Sequence, residues 1–344
     1  MSEEKTETKT PERASDGKPD EKSETTKPAE PKDDLVTSTH TLRVGRKSLA
    51  YTATTGRVVL RDEVYDDGKF TGFKAKAEMS LTSYVVDGAK DADGAPPRPV
   101  TFAFNGGPGS SSVWLHLGLL GPRRVVMGDV GALAPPPYSM ADNAESLLAV
   151  SDLVFIDPVS TGYSRALEGT KPEPFHGYQG DIESVAELIR IWTSRNRRWM
   201  SPKFLAGESY GTLRAAALGE HLQSRHGMYL NGIILISSVL DLSSIDFENQ
   251  RNDRAHALYL PTYAAIAHYH GKHRRRSLKS VVDEAEEYAA RDYPWVLSRG
   301  DRLTRKERAA AVHKLAGLTG LSQDYVDRAD LRIEHVRFFT ELLR

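Results

Sequence analysis

The chain has 344 residues, a formal net charge of −1 and a hydrophobic content of 39%, all ordinary for a globular protein. It contains no cysteine, which excludes disulfide bonds, metal–thiolate sites and a cysteine nucleophile. No pattern of histidines and carboxylates with metal-ligand spacing occurs, so no metal or other cofactor is expected. Basic clusters at 195–198 and 272–276 lack a nucleic-acid motif and aromatic neighbours, so we expect no nucleic-acid partner.

Residues 1–34 differ in composition from the rest of the chain. They contain no aromatic residue and no Leu, Ile or Val, and they are rich in Lys, Glu, Thr, Pro and Ser. Such a segment cannot bury enough apolar surface to offset its ordering entropy, so a disordered polar tail is predicted. Because it lacks an apolar core, it is neither a signal peptide nor a membrane anchor, and a cytoplasmic location is favoured.

Strand patterns begin near Thr39 and continue through Val86, which predicts an antiparallel lead-in of three or four strands. Apolar runs then follow at 100–104 and 153–156, and a helical pattern begins at Asp181. Alternating strands and helices favour a mostly parallel sheet with both faces covered. Functional residues belong at the carboxyl ends of such strands, where Asn105, Asp157 and Ser209 fall.

The most informative motif is Gly-Glu-Ser-Tyr-Gly at 207–211. It stands between the apolar run Phe204-Leu205-Ala206 and a helical pattern from Leu213 to Leu222. Gly-x-Ser-x-Gly between a strand and a helix is typical of the nucleophile elbow of α/β-hydrolases. The pattern therefore makes Ser209 a candidate nucleophile at the start of a helix.

A second motif, Asn-Gly-Gly-Pro-Gly-Ser-Ser-Ser, starts at Asn105 directly after the 100–104 run. Taken alone it suits a tight turn or a phosphate-binding loop, although the Gly-Lys-Ser/Thr ending of the Walker loop is absent. Beside a candidate nucleophile, a glycine-rich loop is suited to supply a backbone N–H to an oxyanion hole.

These two motifs, with the block from Leu153 to Ser164 between them, resemble the serine carboxypeptidase family over about residues 40–240. The resemblance implies that Ser209 is the acylated nucleophile and that the N–H groups of Gly107 and Tyr210 form the oxyanion hole. It also implies that Asn105 and Glu208 bind the C-terminal carboxylate of a peptide substrate. A carboxyl group facing a carboxylate must be protonated to donate a hydrogen bond, so peptide cleavage is expected to be favoured at acidic pH.

The sequence departs from the family pattern in two places and lacks an identifiable triad. Ser110 stands where the family often has Cys, and Leu119 stands where it has a second acid. After Ser209, one strand pattern is clear, Ile233 to Ser237, and the rest of the chain is helical in pattern. The Asp and His that complete a serine triad in this fold are therefore not identifiable.

We accordingly predict an α/β-hydrolase core at 35–244, a helical cap or insertion at 245–344, and absent C-terminal strands in a C-terminally incomplete hydrolase. Asp241 is expected to be structural, and His116 to be a packed residue of the pocket wall. The histidines after Ser209 lie in polar or helical contexts that do not favour a general base; they are His256, His268, His270, His273, His313 and His335.

The favoured function is a serine carboxypeptidase acting on peptides, with no membrane partner. Two alternatives remain open: a truncated or non-catalytic homologue, and an esterase or acyltransferase with the same nucleophile elbow. Oligomeric state is not predicted.

Overall fold

The computed structural model of the chain describes residues 30–88, 97–128, 134–249 and 251–344. Its strands are β1 (Asp34–Val44), β2 (Lys47–Asp66), β3 (Lys69–Val86), β4 (Val100–Phe104), β5 (Arg123–Val125), β6 (Met140–Asp142), β7 (Asp152–Ile156), β8 (Arg165–Ala166), β9 (Lys203–Glu208) and β10 (Gly232–Ile236). Its α-helices are α1 (Val113–Leu115), α2 (Glu173–His176), α3 (Tyr178–Arg195), α4 (Tyr210–His226), α5 (Arg254–Tyr269), α6 (Leu278–Arg299), α7 (Arg305–Thr319), α8 (Gln323–Arg328) and α9 (His335–Leu342).

One mixed sheet organises the N-terminal two thirds of the described chain. Its strand order is β1-β2-β3-β7-β4-β9-β10, with the short β8 paired to β3. β1, β2, β3 and β7 are antiparallel neighbours, whereas β7, β4, β9 and β10 run parallel. The carboxyl ends of β4, β7, β9 and β10 therefore meet at one edge of the sheet.

Both faces of the central strands are covered, which explains their continuous apolar sequences. All five residues of β4 and all five of β7 are buried. Phe102 packs with α3 and α4 on one face, and its ring meets Trp192 edge to face at 5.5 Å. Ala103 and Phe155 pack on the opposite face with Leu115.

The helices α5 to α9 form a second group with a core of their own. Apolar side chains spaced three and four residues apart on α5 and α6 meet those of α7 and α9. Tyr263 of α5 stacks on Phe338 of α9 at 4.1 Å between ring centroids. Among the described residues after Ile236, no strand is present.

The predicted fold class is confirmed: antiparallel lead-in strands precede a mostly parallel sheet, and helices follow. The lead-in consists of three strands, of which β2 has 20 residues and β3 has 18. Residues 1–29 of the predicted polar tail lie outside the described residues. The last residues of the predicted 1–34 tail contact the sheet. Asp33 Oδ1 accepts a hydrogen bond from the Val59 N–H at 2.9 Å, and Asp34 is the first residue of β1.

Within the described ranges, no helix combines the length and the apolar character that crossing a bilayer requires.

Candidate active site

Ser209 occupies a sharp turn between β9 and α4. Its backbone dihedrals are φ 56° and ψ −124°, a region that side-chain-bearing residues rarely adopt. The turn is held by backbone hydrogen bonds: the Ser209 N–H donates to the Ile236 carbonyl at 3.0 Å, and the Ser209 carbonyl accepts from the Thr212 N–H at 2.9 Å. The strained serine is thus fixed at the carboxyl edge of the sheet, at the amino end of a 17-residue helix.

The segment Asn105–Ser112, hereafter the glycine loop, lies directly against this turn. A Cβ atom added to Gly106 would stand 2.4 Å from the Tyr210 backbone nitrogen, so only glycine permits this approach. A Cβ on Gly207 would stand 2.0 Å from the Gly211 carbonyl oxygen, which explains the glycine on the strand side of the turn. Gly107 follows with φ +109°. The structure therefore brings together the glycine loop and Tyr210, which the sequence predicted to form one oxyanion hole.

Asn105 and Glu208, the predicted carboxylate-binding pair, are in direct contact. Asn105 Nδ2 donates to Glu208 Oε2 at 2.9 Å. The Asn105 side chain is fully buried, and its Oδ1 accepts from the Leu115 N–H at 3.0 Å. Glu208 is partly exposed and precedes Ser209 in the chain. One N–H of the Asn105 amide is used by Glu208, and the second is not engaged by any described residue.

Asp157, directly after the neighbouring strand β7, braces the glycine loop. Its Oδ1 accepts a hydrogen bond from the Ser112 N–H at 2.8 Å, and the Ser112 hydroxyl donates to the Ile156 carbonyl. Burial raises the pKa of the Asp157 carboxyl, and the Ser112 N–H opposes that shift. The contact agrees with a supporting role for Asp157 and not with a reacting one.

Among the described residues, no histidine hydrogen-bonds to Ser209. In the part of the chain that the structure describes, the hydrogen bonds of Ser209 are made by its backbone. His256 and His273 are buried and hydrogen-bond to the Ile333 and Leu318 carbonyls at 3.2 and 2.9 Å. They therefore stabilise the helical group.

Two further candidates from the sequence also have structural partners. Asp241 is exposed and pairs with Arg254, and a hydrogen bond from Ser243 lowers its pKa. His116 stacks on Phe155 at 4.5 Å, and its Nε2 lies 2.6 Å from the Tyr84 hydroxyl. Burial lowers the pKa of His116 to about 4, so it is neutral near pH 7. Its packed position agrees with the expectation from the sequence.

A buried ion pair beneath the glycine loop was not predicted. Arg214 of α4 is fully buried, and its Nε donates to both oxygens of Asp181 on α3 at 3.0 and 2.9 Å. The signal was present in the sequence, because each charged residue continues the buried stripe of its helix at a spacing of four. The stripes are Arg214, Leu218 and Leu222 on α4, and Asp181, Val185 and Ile189 on α3.

Among residues 30–88, 97–128, 134–249 and 251–344, no three His, Asp or Glu side chains are grouped so that they could hold a metal ion.

A mostly parallel sheet with covered faces, an antiparallel lead-in and a serine at a strand-to-helix turn define an α/β-hydrolase. The family model for serine carboxypeptidases matches residues 74–296, well over half of the chain. The protein therefore belongs to the serine carboxypeptidase family, whose members are hydrolases.

Solved structures with related folds include three hydrolases. Kex1Δp, a prohormone-processing carboxypeptidase from Saccharomyces cerevisiae, is 18% identical with a TM-score of 0.42, and the match covers 78% of this chain and 52% of that one. The peroxisomal α/β-hydrolase Lpx1 from the same yeast is 13% identical with a TM-score of 0.31, covering 61% and 45%. The rice cell wall degrading esterase LipA from Xanthomonas oryzae is 11% identical with a TM-score of 0.37, covering 84% and 78%. The match thus spans about half the length of the first two proteins.

Proposed function

We propose that the protein is a serine carboxypeptidase that acts on the C-terminal peptide bond of its substrates. The Ser209 hydroxyl attacks the carbonyl carbon of that bond, and its proton passes to a general base. The C–N bond breaks, the released amino acid takes a proton, and water then hydrolyses the serine ester. The N–H groups of Gly107 and Tyr210 stabilise the oxyanion of each tetrahedral intermediate.

The observation that supports this proposal most is the Asn105–Glu208 contact beside Ser209. An amide next to a carboxyl group, both adjacent to the nucleophile, can together bind a carboxylate if the acid is protonated. An esterase has no need of such a pair. The proposal therefore assigns the pair to the C-terminal carboxylate of the peptide, with binding favoured at acidic pH.

A second candidate is a homologue that binds peptides without cleaving them. It is favoured by the hydrogen bonding of Ser209, whose hydroxyl has no partner among the described residues, whereas an activated serine needs a base within about 3.2 Å. The two candidates share carboxylate recognition and differ in whether Ser209 reacts.

Carboxylate recognition is tested by binding peptides to the Ser209→Ala variant, which cannot turn over. A peptide with a free C-terminus is compared with its C-terminal amide at pH 5 and pH 7.5. Charge-assisted hydrogen bonds contribute about 1.5–3 kcal/mol, so the free acid should bind roughly 10- to 150-fold more tightly at pH 5. Asn105→Ala in the same background should remove the preference. Equal binding of acid and amide would reject the carboxypeptidase proposal and leave an esterase or acyltransferase.

Reactivity is tested by fluorophosphonate labelling, because this reagent reacts rapidly only with a base-activated serine. Labelling of the wild type that is lost in Ser209→Ala would support the enzyme. A folded, unlabelled protein that prefers the free acid would instead support the non-catalytic homologue.

A further inference from the structure

The buried pair of Arg214 and Asp181 connects three parts of the proposed site. Arg214 lies on α4, five residues after Ser209, and Asp181 lies on α3. The pair is sequestered, with 0% and 6% of the two side chains exposed. Burying charges is unfavourable unless they are paired and hydrogen-bonded, so a charged pair here needs a reason beyond apolar packing.

The second contact of Arg214 provides that reason. Its Nη1 donates to the backbone carbonyl of Asn105 at 2.7 Å. Asn105 is the first residue of the glycine loop, and the proposed oxyanion donor Gly107 comes two residues later. Glu208 and Leu115 hold the Asn105 side chain, and the bond from Arg214 holds the backbone carbonyl of the same residue.

The guanidinium group also lies against residues on both sides of the site. Its central carbon is 5.4 Å from the ring centroid of Phe104, at the end of β4, and 5.3 Å from that of Tyr210, directly after Ser209. A planar cation can stack on aromatic rings while donating in its plane to a carboxylate and a carbonyl, and lysine cannot make the same set of contacts. Arg214 thus contacts the residue before the glycine loop and the residue after the serine.

The glycine loop borders a cavity on this side. A cavity of about 260 Å³ is bordered by Pro108 and Gly109 of the loop and by Asp181 and Arg214. The hydrogen bond from Arg214 to the Asn105 carbonyl therefore holds the loop at the wall of this cavity.

We propose that Arg214, oriented by Asp181, is a positioning residue that fixes the glycine loop relative to Ser209 and so sets the geometry of the oxyanion hole. This role rests on the proposed function, although the position of the loop can be measured without any turnover. Arg214 itself does not touch the reacting atoms.

The first measurement is hydrogen exchange by mass spectrometry on the wild type, Arg214→Met, Arg214→Lys and Asp181→Asn. Arg225→Met is the control, because Arg225 is exposed on the same helix. Arg214→Met should speed exchange in peptides covering 105–115 by at least about tenfold, while peptides from α6 exchange as in the wild type. Arg214→Lys and Asp181→Asn should give smaller increases in the same peptides, and Arg225→Met none.

The second measurement is the fluorophosphonate reaction, separated into reagent affinity and the rate constant of phosphonylation. A displaced loop should lower the rate constant by about 10²-fold with little change in affinity. If the wild type were not labelled, the proposed enzymatic activity would be rejected. The hydrogen-exchange rates of the glycine loop would still decide whether Arg214 positions that loop.

Three results would overturn the inference. One is unchanged exchange at 105–115 in the folded variants. Another is faster exchange throughout the protein, or loss of folding in all three variants, since either would assign the pair a general structural role. The third is a mobile glycine loop with an unchanged rate constant of phosphonylation.

Discussion

The contact between Gly106 and the Ser209 turn can be tested by a single added methyl group. In Gly106→Ala the new Cβ would stand 2.4 Å from the Tyr210 nitrogen, 2.7 Å from the Glu208 carbonyl oxygen and 2.9 Å from the Gly211 nitrogen. All three neighbours are backbone atoms that cannot move by rotating a side chain. The two segments must therefore separate by roughly 1 Å to restore ordinary contact distances.

The expected cost follows from that displacement. Overpacking a well-packed interior typically costs about 1–3 kcal/mol, and three simultaneous backbone contacts place this substitution near 3 kcal/mol. A displacement of about 1 Å in a catalytic constellation lowers reactivity by roughly 10²-fold. Gly106→Ala should therefore lose both stability and fluorophosphonate reactivity, or, if the protein is non-catalytic, affinity for a peptide with a free C-terminus.

Urea unfolding and the labelling or binding assay measure these effects, with Gly109→Ala as the matched control. Gly109 belongs to the same loop, and a Cβ on it would meet nothing within 4 Å. The control should stay within about 0.5 kcal/mol of the wild type and keep its reactivity. If Gly106→Ala behaved like Gly109→Ala in both assays, the close contact between the glycine loop and the Ser209 turn would be refuted.

Three other predictions concern stability and are checked by urea unfolding. The pKa of His116 is about 4 in the folded state and 6.5 in the unfolded state. Between these two pH values, only the unfolded state binds a proton at His116. The unfolding free energy should therefore fall by about 2 kcal/mol from pH 7.5 to pH 5, and His116→Gln should flatten that dependence. Asp152→Asn removes the charge shared by two largely buried arginines and should cost about 3–5 kcal/mol, whereas Asp142→Asn, in an exposed ion pair, should cost under about 1 kcal/mol. Ser209→Gly should be about 1 kcal/mol more stable than Ser209→Ala, because glycine adopts the backbone conformation at φ 56° without the strain that a Cβ atom causes. Equal stabilities of the two variants would argue against strain at the turn.

The sheet and the Ser209 turn could be predicted because their signals are local. The apolar runs at 100–104 and 153–156 have the length of buried strands and end in residues with turn chemistry, and the structure places β4 and β7 there. The serine motif predicted a strand before it and a helix after it, which β9 and α4 confirm. Each of these predictions depended on fewer than about twenty neighbouring residues.

The connections between these elements could not be predicted in the same way. Arg214 meets Asp181 across 33 positions, and it meets the Asn105 carbonyl across 109. Helical periodicity shows that both charged residues lie on buried faces, but it does not show which partner each one meets. The supporting contacts of a site are long-range hydrogen bonds, whereas residue patterns report local geometry.

The carboxyl edge of the sheet differs on the two sides of Ser209. On the β4 side, the carboxyl edge of the sheet is occupied by the glycine loop and by Asp157, which holds that loop. On the other side lies β10, which pairs with β9 and has no further partner among the described strands. Its residues Ile233, Ile234 and Leu235 are 40%, 37% and 43% exposed, although a strand at the centre of a parallel sheet buries such side chains on both faces. β10 is therefore the edge strand of the described sheet, on the side of β9 away from the glycine loop.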